Sequence, residues 1–233
     1  MDFEIDSKIF ENFPSLEIAV VYAQSCDNAD KNELLSDELN KMEEITRVKF
    51  DLQTLVEEEK ISVWRNAYSS FGAKPKTYKN SVEALIRRVL KGEDLPRINS
   101  IVDCYNLISL KYVFPCGADD ADKVEGKINL AYSKGGEKFT RLNSDETSTL
   151  SEGEIAYMDE KEVLCRRWNW SECDKTKLTS ETKNAVIVIE SLTSNHEELK
   201  KAAEELEQLL KIHCSAKARI FYLNKGNKKT EIG

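Results

Sequence analysis

The spacing of apolar residues along the chain changes near residue 112. Between residues 32 and 110 apolar side chains recur every three or four residues, the period of an amphipathic helix. This pattern predicts helices over residues 32–59, 61–71, 81–91 and 99–110. Beyond it, short apolar runs predict strands at 112–115, 127–133, 137–142, 154–158, 163–166, 184–190 and 217–223, with one helix at 196–212. Helices followed by many short strands favour an α+β fold.

Local signals mark where these elements begin and end. Gly72 and Gly92 follow helical patterns and act as helix stops, and Ser81 is a good N-cap for the helix at 81–91. Two adjacent glycines within residues 133–137 predict a hairpin-type turn. Residues 3–25 are predicted to be extended, with a buried strand near their end. The last ten residues, NKGNKKTEIG, are polar and predict a frayed terminus.

Length and composition are those of a globular protein that can bury a core. The chain has 233 residues, of which 40% are hydrophobic and 33% charged. No apolar run is long enough to cross a bilayer, and the acidic N-terminus lacks the pattern of a secretory signal. We therefore expect a cytoplasmic protein with no membrane partner.

Charge and cysteine usage restrict the candidate chemistry. A net charge of -8 disfavours a general nucleic-acid binder but leaves room for local basic patches. The six cysteines show no C-x-x-C spacing and the chain has only two histidines, so we expect free, mostly buried thiols and no metal site. No motif suggests a bound cofactor.

One segment carries an unusual density of polar groups within helical periodicity. Residues 64–110 contain a paired arginine, a turn with glycine and proline, and a Val-Asp-x-x-Asn helix. The residues of this motif are Arg87, Arg88, Pro96, Asn99, Val102, Asp103 and Asn106. The motif resembles the B3/B4 domain of the phenylalanyl-tRNA synthetase beta subunit, an aminoacyl-tRNA editing module.

The resemblance continues through residues 60–192. Further matches are Gly117–Asp120, Lys123 with Gly126, Gly136 with Glu137 and Leu142, Ala156–Asp159, and a Thr-containing loop before the strand Ala185–Glu190. The resemblance implies a B3/B4-type β-sandwich of mixed sheets flanked by helices, with a pocket between its sheets. We expect a single domain over residues 1–233, with a core at 60–192 and flanking elements at 1–59 and 193–226.

The chain also departs from the family pattern. Gly117 stands where the family has a histidine, and Tyr105 stands where it has a threonine. Residues 164–173, LCRRWNWSEC, replace a glycine-rich loop. Because nothing resembles an ATP site, the chain is similar to freestanding B3/B4 proteins and not to a complete synthetase.

Editing hydrolyses the ester of a wrong amino acid on tRNA, and the resemblance indicates which residues would carry it. An ester is already activated, so a pocket, hydrogen-bond donors and an oriented water suffice. Asn106, Thr179 and Thr182 are the candidates for these catalytic roles. The alternatives are a capping asparagine and turn-forming threonines.

Substrate-binding candidates come from both halves of the matched region. They are Glu190, Asn99, Asp103, Tyr105, Asn169, Trp168 and Trp170. In the family, the acidic residue matched by Glu190 recognises a phenolic hydroxyl, whereas a surface carboxylate at a strand end is the alternative. Trp168 and Trp170 either stack on a terminal base or fill the core beneath a sheet.

Four arginines are candidates for tRNA binding, namely Arg87, Arg88, Arg166 and Arg167. Arg87 and Arg88 lie about 100° apart on a helix, so they cannot both face one site. One of the two is expected to pair with Asp103 or Glu83.

Three functions therefore remain open. The first is binding of tRNA or aminoacyl-tRNA with hydrolysis of a mischarged amino acid in trans. The second is a non-catalytic module that binds RNA or an amino-acid ligand. Gly117 and the net charge favour the second, and the ordered family matches favour the first. A third reading is an interaction domain that retains only the fold.

Overall fold

The computed structural model describes residues 1–233 and contains six α-helices and twelve strands. The helices are α1 (Ser7–Asn12), α2 (Glu33–Lys49), α3 (Glu59–Ser70), α4 (Ser81–Leu90), α5 (Ser100–Tyr112) and α6 (His196–Cys214). The strands are β1 (Asp2–Ile5), β2 (Glu17–Gln24), β3 (Cys116–Asp120), β4 (Ile128–Tyr132), β5 (Lys138–Thr140), β6 (Thr147–Thr149), β7 (Ile155–Met158), β8 (Val163–Arg166), β9 (Ser171–Glu172), β10 (Ala185–Ser191), β11 (Lys217–Leu223) and β12 (Lys229–Glu231). The predicted α+β class is confirmed.

A four-stranded antiparallel sheet, ordered β11-β2-β10-β3, forms the middle of the molecule. Its central strand β2 is buried on both faces, which explains why its sequence is continuously apolar. Because side chains alternate along a strand, Ala19 and Val21 join one hydrophobic cluster while Ile18 and Val20 join the other. The middle sheet thus separates two cores.

A six-stranded sheet, ordered β12-β1-β4-β7-β8-β9, covers one face of the middle sheet. Strands β1 and β4 run parallel and the other neighbours run antiparallel, so the sheet is mixed. Helices α2, α4, α5 and α6 supply apolar residues to the core on the opposite face. The small β5–β6 hairpin lies beside β8. These layers make up a β-sandwich flanked by helices.

Several predicted boundaries are confirmed. The strands predicted at 163–166 and 217–223 match β8 and β11, and the helix predicted at 61–71 is α3 with Gly72 at positive φ beyond its end.

All six cysteines are free and buried. No helix of the described chain is both long and apolar enough to cross a membrane.

Two helix ends differ from their predictions. Helix α2 ends at Lys49 and not at residue 59, because Asp51 accepts a hydrogen bond from the Gln53 backbone N–H and closes a turn. Asn80, not Ser81, caps α4, and its side-chain oxygen accepts from the Glu83 N–H at 2.8 Å. Asparagine and serine are both good caps, so propensity alone does not separate two adjacent candidates.

The extended segments hold the remaining differences. Helix α1 interrupts the region predicted to be extended over residues 3–25, and α5 runs through Tyr112, so the strand predicted at 112–115 is replaced by β3. The turn at 133–137 joins strands of different sheets and is not a hairpin. The C-terminus is not frayed: β12 pairs with β1, and Ile232 is fully buried.

Candidate functional site

A cleft and a small inner cavity lie next to each other where α5 meets the two sheets. The cleft has a volume of about 330 Å³ and the inner cavity about 10 Å³. Both are lined by Ala118, Asp119 and Glu172, which therefore mark the junction between them. The inner cavity has room for at most about one water molecule, so a ligand of larger size has to lie in the cleft.

A hydrogen-bonded network around Glu190 lines the inner cavity. This fully buried carboxylate accepts from the Tyr157 hydroxyl at 2.5 Å, Trp168 Nε1 at 2.7 Å and Asn169 Nδ2 at 2.6 Å. The Tyr68 hydroxyl donates to Asn169 Oδ1 and so fixes the orientation of the amide. Burial raises the pKa of Glu190, and the three donors oppose that rise. The carboxylate is thus saturated by the protein itself.

An unusual turn between β8 and β9 places these donors. Arg167 and Trp168 both have positive φ, 49° and 67°, a conformation that costs non-glycine residues energy. Trp168 is fully buried and packs edge-on against Trp64 at 5.0 Å between ring centroids. Trp170 lies on the other side of the turn, against Tyr78 at 4.7 Å. The two tryptophans therefore have different environments.

The cleft has apolar walls and a polar floor. Val102 and Tyr105 of α5 line one side, and Leu142 and Leu178 are among its other apolar residues. Its polar residues are Asp119, Asn143, Glu172, Thr176, Lys177 and Thr179. Mixed lining of this kind is typical of small-ligand sites, where apolar surface supplies affinity and a few polar groups fix orientation.

Asp119 and Glu172 form an acidic pair at the cleft floor. The Thr176 hydroxyl donates to Asp119 at 2.5 Å, and neither carboxylate has an ion pair with a lysine or arginine. Burial and neighbouring carboxylates raise the pKa of Asp119 to about 6. Burial and the proximity of Asp119 also raise the pKa of Glu172 well above its usual range. Such a pair can share a proton or bind a cation.

A surface of aromatic and basic side chains borders the cleft. The Arg167 guanidinium lies over the Tyr78 ring at 3.9 Å and over the Trp170 ring at 4.9 Å. Arg141 lies 5.8 Å from the Trp170 ring centroid and precedes Leu142 of the cleft wall. Beyond Tyr78, a groove of about 640 Å³ runs between α3 and the segment with the exposed Lys74 and Lys76. The name aromatic-basic surface is used below for the surface formed by Tyr78, Trp170, Arg141, Arg167, Lys74 and Lys76.

The model of the B3/4 domain matches residues 63–215. The chain belongs to the B3/4 domain family. A stretch of 117 residues, half of this chain, is 29% identical to the phenylalanine–tRNA ligase beta subunit of Fusobacterium nucleatum subsp. nucleatum and spans 14% of that protein. The crystal structure of an N-terminal fragment of the phenylalanyl-tRNA synthetase beta-subunit from Pyrococcus horikoshii is similar at 16% identity and a TM-score of 0.47, over 93% of this chain and 50% of that one. The chain thus covers only part of each relative.

In this B3/4 domain, Gly117 leaves space that Glu172 uses. A Cβ at Gly117 would lie 2.7 Å from Glu172 Oε1, inside van der Waals contact. A histidine there, as expected from the family pattern, would require the carboxylate to move. The departure at 117 and the acidic pair are therefore two parts of one local change.

The structure brings five of the predicted substrate-site and catalytic residues to the two spaces. Tyr105 and Thr179 line the cleft, and Glu190, Trp168 and Asn169 line the inner cavity. Glu190 is fully buried and not a surface carboxylate at a strand end. Trp170 lies on the aromatic-basic surface instead.

The other predicted residues are held in local structure outside the cleft lining. Asn99 caps α5, Asp103 accepts from the Ile98 N–H, and the Thr182 hydroxyl donates to Asp120. Asn106 is buried on α5. Asn106 lies in the middle of α5 and is therefore not a capping residue, whereas Thr182 accepts from the Thr179 N–H within a turn, as its alternative predicts.

All four candidate arginines form ion pairs within the protein. Arg87 pairs with the buried Glu83 at 2.7 Å, one of the two partners expected for it, while Arg88 is half exposed and pairs with Glu93. Arg166 and Arg167 both pair with Glu154, and only Arg167 stacks on the aromatic-basic surface.

Sequence reasoning missed Asp119 and Glu172 as site residues. Asp119 was only one position of a family match, and Glu172 lies two residues after Trp170 in the replaced loop. The positive-φ turn at 167–168 interrupts the alternation of side chains, so strand periodicity carries no signal for where Glu172 points.

Proposed function

We propose that the protein binds the aminoacyl end of a tRNA and hydrolyses the ester of a mischarged amino acid in trans. Membership of the B3/4 family supports a partner related to tRNA synthetases. The observation that carries the proposal is a ligand-sized cleft whose rim continues into the aromatic-basic surface through Arg141 and Leu142. Such a protein would act in translation, in the cytoplasm.

The two features suit the two parts of the substrate. Aromatic rings stack on bases and basic side chains contact phosphates, so the aromatic-basic surface fits the single-stranded end of a tRNA. The aminoacyl group would enter the cleft, where the Tyr105 and Thr179 side chains offer hydroxyl groups for the ester carbonyl or a water. Glu190 has no part in this contact, because its donors are all intramolecular.

A deacylation assay tests hydrolysis directly. Purified protein is incubated with a panel of correctly charged and mischarged aminoacyl-tRNAs, and the loss of ester is compared with that in buffer. We expect at least one mischarged tRNA to be cleared at least tenfold faster than in buffer, and Thr179→Val to slow it. A panel with no accelerated member would exclude the hydrolytic function.

Binding is tested separately with uncharged tRNA in a filter-binding assay at low salt. Arg141→Ala removes an exposed cation at the cleft rim and should weaken binding roughly fivefold, the equivalent of about 1 kcal/mol. Lys200→Ala on α6 is the matched control and should have no effect. Arg88→Ala tests whether α4 also contacts tRNA.

The alternative is a non-catalytic module that binds the same ligand. Gly117 favours it, because the position matched to the family histidine carries no side chain. This alternative predicts tRNA binding that depends on Arg141 together with ester half-lives equal to those in buffer.

A further inference from the structure

The acidic pair in the cleft lacks the cation that would normally accompany it. Lys177 also lines the cleft, but its ammonium pairs with Asp174 at 2.9 Å. Lys123 pairs with Asp120, and Lys175 pairs with Asp159 at 2.8 Å. No lysine or arginine of the chain therefore neutralises Asp119 or Glu172, although both residues are partly buried.

The Glu172 carboxylate is also poor in hydrogen bonds. No N–H or O–H group of the chain donates to it, and its hydrogen-bonding neighbour is the Cys165 thiol, a weak donor. A carboxylate in such surroundings is destabilised in its charged form. Glu190, one cavity deeper, shows the contrast, since three donors satisfy it. The arrangement at Glu172 is that of an acceptor left free for a ligand.

The space beside the pair fits a small organic cation with an apolar body. The cleft of about 330 Å³ combines the two carboxylates with seven hydrophobic residues, among them Val102, Leu142 and Leu178. A bare metal ion would not use the apolar walls, and no cluster of three potential metal-ligating side chains exists in the chain. A molecule with an ammonium group close to an apolar side chain uses both features.

We propose that Asp119 and Glu172 bind the protonated α-amino group of an amino acid whose carboxyl group is esterified or amidated, and that they exclude the free amino acid. This inference rests on the proposed function and deepens it. An aminoacyl ester presents an ammonium and a neutral carbonyl, whereas a free amino acid adds a carboxylate that the ionised Asp119 repels. The same pair would therefore hold the substrate and favour release of the product.

The choice of glycine at position 117 fits this role. Glu172 Oε1 occupies the space that a side chain at 117 would need, so only glycine lets the carboxylate reach the junction without moving. The backbone at Gly117 does not have positive φ, so alanine is tolerated there and would displace only the flexible end of Glu172. Gly117→Ala thus moves the carboxylate without changing the charge of the protein.

Calorimetric titration with small amides tests the proposal without tRNA. The probes are phenylalaninamide and leucinamide, with free phenylalanine and N-acetylphenylalaninamide as matched controls. At pH 7 we expect at least one of the two amides to bind at least tenfold more tightly than both controls. Glu172→Gln and Asp119→Asn should each weaken amide binding at least tenfold, and Gly117→Ala should also weaken it. Asp37→Asn, an exposed position on α2, should leave it unchanged.

The pH dependence adds a readout that a merely structural role would not give. Binding should strengthen between pH 5 and 7 as Asp119 ionises, given its pKa of about 6. It should weaken above about pH 8, where an α-amino group loses its proton. The titratable and charged groups that face the pair are Asp120 of β3, Asp159 after β7, Cys165 of β8, Glu190 of β10, Tyr105 of α5 and Lys177.

Four results would overturn the inference: equal affinity for amide and free amino acid, equal affinity for the N-acetylated amide, no binding of either amide, or binding unaffected by Glu172→Gln. Circular dichroism of each variant confirms that it is folded. Deacylation and tRNA binding are measured on the same preparations. Amide binding without deacylation would refute the hydrolytic function alone, whereas deacylation with no preference for amides would refute this inference alone.

Discussion

Single polar residues decide what this protein's interior can do. Glu190 is fully buried and Glu172 is partly buried. Both have a raised pKa, yet their surroundings differ. Glu190 accepts three hydrogen bonds, whereas Glu172 accepts none from an N–H or O–H group. Because its donors are all within the protein, the first carboxylate stabilises the fold, whereas the second lines the cleft and is free to accept from a ligand.

Replacement of Glu190 should therefore act on stability. In Glu190→Gln an N–H₂ donor replaces one carboxylate oxygen and faces a neighbour that is itself a donor. The charge-assisted hydrogen bonds of the carboxylate are lost as well. We expect the free energy of unfolding to fall by about 2–4 kcal/mol in urea denaturation. Asp37→Asn is the control and should change it by less than about 0.5 kcal/mol. An unchanged midpoint for Glu190→Gln would contradict the network.

The acidic pair should also appear in the pH dependence of stability. A raised folded-state pKa means that the folded protein holds its proton at a pH where the unfolded chain has released it. The stabilisation is therefore complete only below the unfolded-state pKa of 3.8, and it is lost as pH rises through about 6, the pKa of Asp119 in the folded protein. Between pH 4.5 and 7, Asp119→Asn should lose about 2 kcal/mol less stability than the wild type. Parallel urea curves at the two pH values measure this difference.

Capping shows what happens at the scale of one helix. Asn80 is buried and its side chain accepts from the Glu83 N–H, while the Ser81 hydroxyl is buried without a hydrogen-bond partner. The Glu83 carboxylate in turn forms ion pairs with Arg65 and Arg87. The start of α4 is thus tied to α3 through one carboxylate.

These two neighbours should respond differently to alanine. Asn80→Ala should cost about 1 kcal/mol of unfolding free energy, because the N-terminus of α4 loses its cap. Ser81→Ala should be neutral within about 0.5 kcal/mol, because no hydrogen bond is lost. Equal effects of the two changes in urea denaturation would show that Asn80 is not the cap.

The β8–β9 turn is the element that organises the site. Its two positive-φ residues send Trp168 inward to Glu190 and leave Trp170 outside with Arg167. The sequence allowed both tryptophans either to fill the core or to stack on a base. In the structure the two differ, since Trp168 fills the core and Trp170 lies on the aromatic-basic surface. A three-residue motif thereby serves both the fold and the candidate interface.

At the scale of the whole molecule, charge is distributed unevenly. The net charge of -8 coexists with exposed Lys74, Lys76 and Arg141, none of which has an ion pair. Such a surface can contact only a few phosphates, and the acidic remainder repels the rest of a nucleic acid. We expect binding that is modest and confined to one end of the tRNA.

Salt dependence measures this footprint. With about three phosphate contacts, the affinity for tRNA should fall roughly 20- to 40-fold between 50 and 200 mM salt. Lys76→Ala should weaken binding and reduce the slope of log K against log salt by about 0.7–0.9. Lys200→Ala should leave the slope unchanged. A slope near zero would indicate that phosphates are not the ligand of this surface.

Predictions from sequence succeeded where the signal is local. The periodicity of α3, α5 and α6 and of β8, β10 and β11 reflects which face of each element is buried, and burial leaves its pattern in neighbouring residues. The predicted end of α2 and the predicted cap of α4 were wrong, because a single side-chain hydrogen bond decides each of them. The C-terminal strand was missed because its pairing partner, β1, lies more than 220 residues away.

The sequence by itself determined the α+β class, most elements and, through its motifs, the family to which the chain belongs. Tertiary structure alone decided which polar groups meet. Asp119 and Glu172 are 53 residues apart, and their meeting depends on strand register, on an unusual turn and on the missing side chain at Gly117. Periodicity records that a position is buried, but the identity of its neighbours is fixed only when the sheets pack.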